Sequence, residues 1–416
     1  MTDDDATPSG RRARRVASSR RPRPSARRRG RRKAARPGRT VVAVIVSSLL
    51  GLALVTGVGV VLLYQHWNGS LTVDNVDDQL SNRPDKVADG PLNVLVMGDD
   101  TRDGKGNRVD GEGGGGSDTT IMFHLSANRR FAYGISVPRD TIVDRPECRT
   151  EDGQAIAAKA DAMWNEAYKV GGPACTIQQF EQLTDIRIDH YVVVDFSGFK
   201  GMVNALGGVE VCIPEDIVDE DSGITLKAGT RVVRGQEALD YVRVRKGVVG
   251  GTGSDPERIK RQQAFMASII STAMRADTLA QPNRLAGFIN ATVESLTTDF
   301  ENLAQMVDLA SSLNGIGLDN IDFVTTPWGP ADIDPVNRIQ WTSDVTKLWR
   351  LARNDRPLTA DFLDDSISVE EDPDGSASTS SSAGTPSGSA SAGASDPSSA
   401  ATEEPVDDEP AGPGLC

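Results

Sequence analysis

Apolar positions along this chain recur with different periods, and the first run has no period at all. Val41 to Leu63 is 23 residues without a charged side chain. As a helix rising ~1.5 Å per residue it would span ~34 Å, enough for a ~30 Å hydrocarbon layer. Tyr64 and Trp67 follow, where interfacial aromatic side chains belong. After a polar, acidic stretch over 64–90, short β-branched and aromatic runs begin: PLNVLVMG (91–98), TTIMFHLSA (119–127), FAYGISVP (131–138), HYVVVDF (190–196), GVEVCIP (208–214) and IDFVTTP (321–327). Several are apolar on both faces, which predicts a sheet covered on both sides. Helical patterns alternate with them over 175–184, with Thr176 as a cap candidate, and over 196–207, ending at a glycine pair. Others cover 299–314 and 341–355, and 255–276 opens with Asp255 as N-cap and Pro256 at the first helical position. The pattern predicts one α/β domain over 91–355, preceded by a membrane helix (41–63) and a stalk (64–90). Residues 366–416 are Ser, Gly, Ala, Pro and acids, a composition that reads as a disordered tail.

Charge sharpens the topology. Residues 1–40 hold fourteen Arg, Lys33 and three Asp, hence +12, against −14 for the whole chain. This arm cannot bury a core and reads as disordered. Nucleic-acid binding is one reading of such an arm. An apolar run directly behind it favours the positive-inside rule instead, with the arm cytoplasmic and the remainder exported. The sequence YQHWNGS offers no small-x-small cleavage site, so a retained single-pass anchor is expected rather than a removed leader.

Cys148, Cys175, Cys212 and Cys416 fall in the part expected outside, where disulfides form. No CxxC pair is present, which argues against zinc and thioredoxin-like chemistry. Cys148 and Cys175 lie in loop-like stretches and could pair. Cys212, inside an apolar strand, reads as a buried thiol. His66 sits at the membrane edge, and His124 and His190 read as ordinary strand residues. A histidine-based triad or His-rich zinc site is therefore not the expected chemistry.

That leaves carboxylates and arginines. The strand PLNVLVMG ends in Asp99-Asp100-Thr101-Arg102, and Asp118 stands at the mouth of the next strand. Ligands of open α/β sheets collect beyond strand ends. Two acids brought together there would repel unless a cation sits between them, and magnesium prefers such ligands. The alternative is two solvated loop acids. Arg139 follows a strand in SVPRDT, and Arg243 and Arg245 are two apart in DYVRVRK. Arg258 and Gln262 lie one turn apart on one helix face. Guanidinium forks suit phosphate oxygens. An anion pocket and ordinary surface ion pairing both remain open from spacing alone.

The ordered set LVMGDDTR, GSDTTIMFHLS, ISVPRDTIV, WNEAYKVGGPACTIQQFEQLTDIRIDHYVVVDFSGFKGMVNALGGVEV and GQEALDYVRVRKGVVGGTGSDPERIKRQQAF resembles the LytR–CpsA–Psr family over roughly 92–275, and FVTTPW extends the likeness. The resemblance implies a three-layer α-β-α domain with a central mixed sheet, an apolar pocket for a polyprenyl chain and a magnesium-assisted pyrophosphate site, with manganese as the alternative ion. Matched residue by residue, Asp100 and Asp118 would hold the metal. Arg139, Arg243, Arg245 and Arg258 would hold the pyrophosphate, with Gln262 and, more weakly, Arg102. Asp100, Asp118 and Arg139 are the implied catalytic group. Asp255 would cap its helix and orient Arg258. Relatives often carry Arg where this chain has Gly116, and the 246–254 loop departs from the family pattern.

The implied activity is a phosphotransferase that attaches a polyprenyl-pyrophosphate-linked glycopolymer, the donor, to a peptidoglycan hydroxyl, the acceptor. Membrane lipid is an expected partner and nucleic acid is not. The alternatives are a lipid pyrophosphatase or phosphatase using the same site, and a non-enzymatic membrane-tethered envelope regulator.

Overall fold

The computed structural model describes residues 37–88, 90–99, 116–220, 222–244, 255–275, 278 and 280–369. An N-terminal helix α1 (Pro37–Ser70) contains the apolar run and is long and apolar enough to cross a membrane. The chain divides within this helix into a unit ending at Val60 and a second unit beginning at Val61.

The second unit is built on an eight-stranded sheet. Its strands in chain order are β1 (Thr72–Val73), β2 (Leu92–Asp99), β3 (Ser117–Leu125), β4 (Ala132–Val137), β5 (His190–Asp195), β8 (Leu296–Thr298), β9 (Ile321–Thr325) and β10 (Ile367–Ser368). A separate hairpin pairs β6 (Val209–Ile213) with β7 (Gly229–Val233). The spatial order is β1-β8-β5-β2-β3-β4-β9-β10. Pairing of β2 with β5 and of β4 with β9 is parallel, whereas β2, β3 and β4 run as an antiparallel meander. The sheet is therefore mixed, as the resemblance implied.

The longer described helices of this unit are α2 (Glu166–Thr184), α3 (Phe196–Ala205), α4 (Gly235–Arg243), α5 (Asp255–Met274), α6 (Pro282–Val293), α7 (Leu303–Ile316) and α8 (Val345–Arg353). Alternation along β2 shows how they cover the sheet. Leu95 and Met97 enter a core shared with Ile177 and Phe180 of α2 and Leu348 and Trp349 of α8. Val94 and the less buried Val96 face the other way, toward Ala264 and Ala267 of α5 and Ile316 of α7. Successive strand residues point to opposite faces, so a doubly apolar strand requires two helical layers.

Some elements differ from the sequence pattern. The helix expected from Cys175 begins earlier and is broken at Gly171 (φ −146°) and Gly172 (φ 61°), immediately before Pro173. Glycine enters that left-handed conformation without the Cβ penalty. Thr176 is interior rather than a cap, and its hydroxyl donates to the Gly172 carbonyl at 3.1 Å. A four-stranded sheet (Trp328–Ala331, Asp334–Trp341, Thr141–Arg145, Lys159–Met163) was not predicted. Within the segment read as a stalk, Leu71 and Val76 are buried, and β1 pairs with β8. The packed chain continues past 355, with Leu358, Ile367 and Val369 buried.

Cys148 and Cys175 are joined in a disulfide with their Cα atoms 5.2 Å apart. Both are buried, Cys175 inside α2 rather than in a loop. Cys212 on β6 is also buried, but it is disulfide-bonded, which corrects its reading as a free thiol. His124 is buried between Asn93 Oδ1 at 2.8 Å and Asp355 Oδ1 at 3.1 Å, and burial pushes its pKa down.

Gly134 lies at the centre of the sheet, opposite both Phe123 and Phe323 in register. A Cβ there would stand 2.6 Å from the Phe323 ring, which is fully buried and has nowhere to move. Gly134→Ala is therefore expected to destabilise the domain by about 1–3 kcal/mol through overpacking. Thermal unfolding of the variant would show this, and an unchanged midpoint would contradict it.

Candidate functional site

The meander fixes where the candidate residues meet. Antiparallel pairing sets Asp99 at the end of β2 opposite Ser117 at the start of β3. Thr120 of β3 likewise stands opposite Val137, two residues before Arg139. Asp99, Asp118 and Arg139 therefore gather at one end of the sheet because of strand direction, although 40 residues separate the first from the last.

Asp118 is the centre of the cluster. Arg139 Nη1 donates to its Oδ1 at 2.6 Å. Arg258 Nη1 stands 3.7 Å from its Oδ2, and Arg258 Nη2 donates to its backbone carbonyl at 3.2 Å. Arg258 is 2% exposed, so this guanidinium is held almost without water. Burial pushes the Asp118 carboxyl up, but Arg258, then Arg139 with its hydrogen bond, and Arg243 together outweigh this and hold it below the usual carboxylate value. Three guanidinium groups bear on this one carboxylate, and Arg139 Nε also lies 3.7 Å from Asp140 Oδ2.

Helix α5 is stitched to the same strand ends. Thr119 Oγ1 donates to Gln262 Oε1 at 3.1 Å, and Gln262 Nε2 donates to the Val242 carbonyl at 3.1 Å. Arg261 donates to the Val244 carbonyl. Gln263 Nε2 donates to Ser136 Oγ at 2.8 Å and Thr325 Oγ1 at 3.1 Å. These bonds join the start of α5 to β3, β4, β9 and the end of α4. Arg243, the last residue of α4, lies 4.7 Å above the centre of the Phe196 ring, a cation–π contact that orients its fork. Phe196 in turn opens α3, whose N-cap Asp195 accepts from the Gly198 amide at 2.6 Å.

The structure thus brings Asp118, Arg139, Arg243, Arg258 and Gln262 together. Asp100, Arg102 and Arg245 lie outside the described residues, and so does the side chain of Asp255. Residues that spacing did not reveal complete the surroundings. Tyr168, in the first turn of α2, is hydrogen-bonded to Asp99, and burial, then that carboxylate, push its phenol pKa up. The Lys169 stem lies across Gly116, where an added Cβ would come within 2.8 Å of Lys169 Cε. A cation from α2 therefore borders the position where the strand itself lacks one. Arg338 Nη1 stands 3.6 Å from Asp140 Oδ1. No sequence signal joined 338 to 140, because the contact depends on the unpredicted second sheet.

Among the described residues, no group of three His, Cys, Asp or Glu side chains is placed to hold a metal. Asp118 nevertheless meets one requirement of a magnesium ligand, since its neighbours keep it ionised. The sign of that effect sets a pH dependence. A depressed carboxylate contributes stability above its unfolded value, near 4, and loses it as pH falls through the lower folded value. The stability difference between the native chain and Asp118→Asn is therefore expected to be constant from about pH 5 to 8 and to shrink below about pH 4. Unfolding curves across that range would reveal a constant difference if the assignment were wrong.

A mixed sheet covered by helices on both faces, with arginines gathered around Asp118 at its strand ends, defines an α/β protein. Comparison makes the class specific. The chain belongs to the LytR_cpsA_psr family, whose model matches residues 63–351. It is 28% identical over 311 residues to the cell wall biosynthesis protein LcpA of Corynebacterium glutamicum, covering 66% of this chain and 59% of LcpA. The polyisoprenyl-teichoic acid–peptidoglycan teichoic acid transferase TagV of Bacillus subtilis is 30% identical over 317 residues, covering 73% of this chain and 75% of TagV. The crystal structure of B. subtilis TagT superposes with a TM-score of 0.50 at 21% identity, covering 68% of this chain and 99% of that one, and shows the shared fold.

Proposed function

We propose that this protein is a membrane-anchored phosphotransferase that attaches a polyprenyl-pyrophosphate-linked glycopolymer to a peptidoglycan hydroxyl outside the cell. The observation that carries this reading is the grip of Arg139 and Arg258 on Asp118 with Arg243 beside them. The name of TagV, a transferase of polyprenyl-linked teichoic acid to peptidoglycan, supports it from outside the structure.

In the proposed reaction the acceptor hydroxyl attacks the phosphorus next to the sugar polymer. A P–O bond forms there, the P–O bond to the bridging oxygen breaks, and polyprenyl phosphate leaves. The three arginines hold the non-bridging oxygens and meet the charge that develops on them. Asp118 is a poor proton acceptor because its neighbours stabilise its ionised form, so its part is to fix the two guanidinium groups. Asp100 is the proposed base. A magnesium ion held by Asp118 and Asp100, with manganese as the substitute, would neutralise phosphate charge when bound. The lipid would lie against apolar side chains between the sheet and its helices. Val96, Val192, Met266 and Ile270 are only partly buried although they lie between the sheet and its helices.

The apolar helix is long and apolar enough for a single membrane pass, and the Arg-rich arm supports an orientation with the N-terminus inside. The purified full-length chain in lipid nanodiscs, given a synthetic polyprenyl-pyrophosphate glycan and peptidoglycan oligomers with and without magnesium, tests the proposal. A phosphodiester-linked glycan–peptidoglycan product that depends on the ion is the expected result. Release of glycan phosphate into water alone would instead favour a pyrophosphatase on the same site. No turnover in any arm would favour a tethered regulator.

A further inference from the structure

The rungs of the main sheet show where the apolar helix delivers the chain. One rung runs Thr72–Thr297–Val193–Met97–Thr120–Val137 across β1, β8, β5, β2, β3 and β4. Asp99 lies two residues after Met97, Asp118 two before Thr120 and Arg139 two after Val137. Strand direction places all three on the same side of the rung. Through β8 and β5, β1 runs antiparallel to β2, so Ser70, the last residue of α1 and two before Thr72, is on that side as well. We infer that the domain rests directly on the lipid surface at this end, so that the arginines around Asp118 are presented to the headgroups. This rests on the membrane pass proposed above.

No slack separates the end of the helix from the domain. Trp67 and Leu71 pack with Ile289, Val293, Leu303 and Met306, and Asn68 Oδ1 accepts from the Leu303 amide at 3.0 Å. β1 follows at once, and Asp74 N donates to the Thr298 carbonyl at 2.8 Å. The Tyr191 hydroxyl closes the joint by donating to the Asp74 carbonyl at 2.8 Å. A segment held at this many points keeps a fixed height over a bilayer, where a flexible linker would let the domain wander.

Continuity of apolar surface commits the partner to lipid. Within the same compact unit as the sheet, Leu62, Leu63 and Tyr64 are exposed on α1. Tyr64 and Trp67 carry the amphipathic rings that settle at headgroup depth. From Tyr64 to Ser70 the helix rises only ~9 Å. Beyond it Val307 is 49% exposed on α7, one turn past Leu303, whose amide meets Asn68. Asp118 on β3 stands four strands from β1, ~19 Å across the sheet. The apolar collar and the arginine cluster therefore share one end of one sheet.

The full-length protein in anionic nanodiscs is tested with nitroxide side chains, introduced singly through p-acetylphenylalanine so that the cysteines are untouched. Leu54 reports insertion and Val307 the proposed contact. Asn128, exposed in the β3–β4 turn at the opposite end of the sheet, reports the far pole. A lipid with nickel chelated on its headgroup relaxes nearby spins. Strong relaxation at 307, none at 128 and access to oxygen but not to water at 54 is the expected result. Equal relaxation at 307 and 128, or more at 128, with 54 in hydrocarbon, overturns the inference. A water-exposed Leu54 label would remove the membrane pass and the inference with it. These spin readouts need no turnover, so they stand apart from any failure of the transferase reading. Val307→Glu sets a carboxylate against anionic headgroups. It is expected to lower transfer from a long-chain donor embedded in the bilayer roughly fivefold, and less at high salt, while Val307→Lys does not. Both variants should keep the native Tm and native turnover of a short-chain, water-soluble donor. Equal losses with both donors would place Val307 in the fold and not at a lipid surface.

Discussion

Asp118→Asn is expected to lower glycan transfer by about 10²–10³-fold while leaving donor binding unchanged or tighter. Asparagine keeps the shape of the side chain and can still accept from Arg139. What it loses is the charge to which Arg139 and Arg258 are tied, at 2.6 Å and 3.7 Å in the native chain. Removing it takes a negative charge away from these guanidinium groups, so ground-state attraction for a pyrophosphate does not fall. The guanidinium forks lose their fixed direction, and preorganised charge is worth most when it cannot rotate away from the transferring group. The expected signature is a reduced kcat with an equal or smaller KM. A raised KM with native kcat would place Asp118 in simple binding, and native values of both would remove it from the site.

The second large effect concerns stability. Arg83→Met is expected to cost about 3–5 kcal/mol, because it leaves a buried carboxylate without its partner. The Glu181 side chain is fully buried, and Arg83 grips it with Nη2 at 2.7 Å and Nε at 2.9 Å. Arg83 also donates to the Ile188 carbonyl at 2.7 Å, and Ile188 N donates to Glu181 Oε1 at 2.9 Å. Burial by itself would lower the Arg83 pKa, and the Glu181 and Asp77 carboxylates more than reverse this. For a domain of this size the loss amounts to a fall in Tm of roughly 10 °C. Glu181→Gln in the Arg83→Met background should recover part of it by removing the stranded charge. Equal midpoints for the single and double variants would show that the ion pair is not the source of the effect.

Arg83 also shows where sequence reading falls short. The 64–90 segment is polar and acidic, and composition alone gave no reason to join it to the domain. Its link depends on single residues such as Leu71, packed with Val293 and Leu303, and Arg83, whose partner Glu181 lies 98 positions away. By contrast, β2, β3, β4, β5 and β9 were legible because each carries a run rich in β-branched and aromatic residues, buried on both faces in β4. The second sheet was hidden for the opposite reason. Lys159–Met163 and Asp334–Trp341 are largely exposed, so neither holds the apolar alternation that marks a strand. In the site, Asp118, Arg139, Arg243, Arg258 and Gln262 could be proposed from strand ends, helix spacing and family likeness. Phe196, Tyr168 and Lys169 could not, since an aromatic ring under a guanidinium or a lysine stem over a glycine leaves no local trace in the sequence.

The two outermost strands of the main sheet have a consequence of their own. β1 and β10 are each two residues long, while the strands between them run to nine. A long bare strand is a template on which a second chain can grow β structure, and a pair of two-residue margins offers almost nothing to copy. Copies of a protein confined to a surface meet often and in similar orientations. Short margins leave the main sheet with little edge for one copy to add to another.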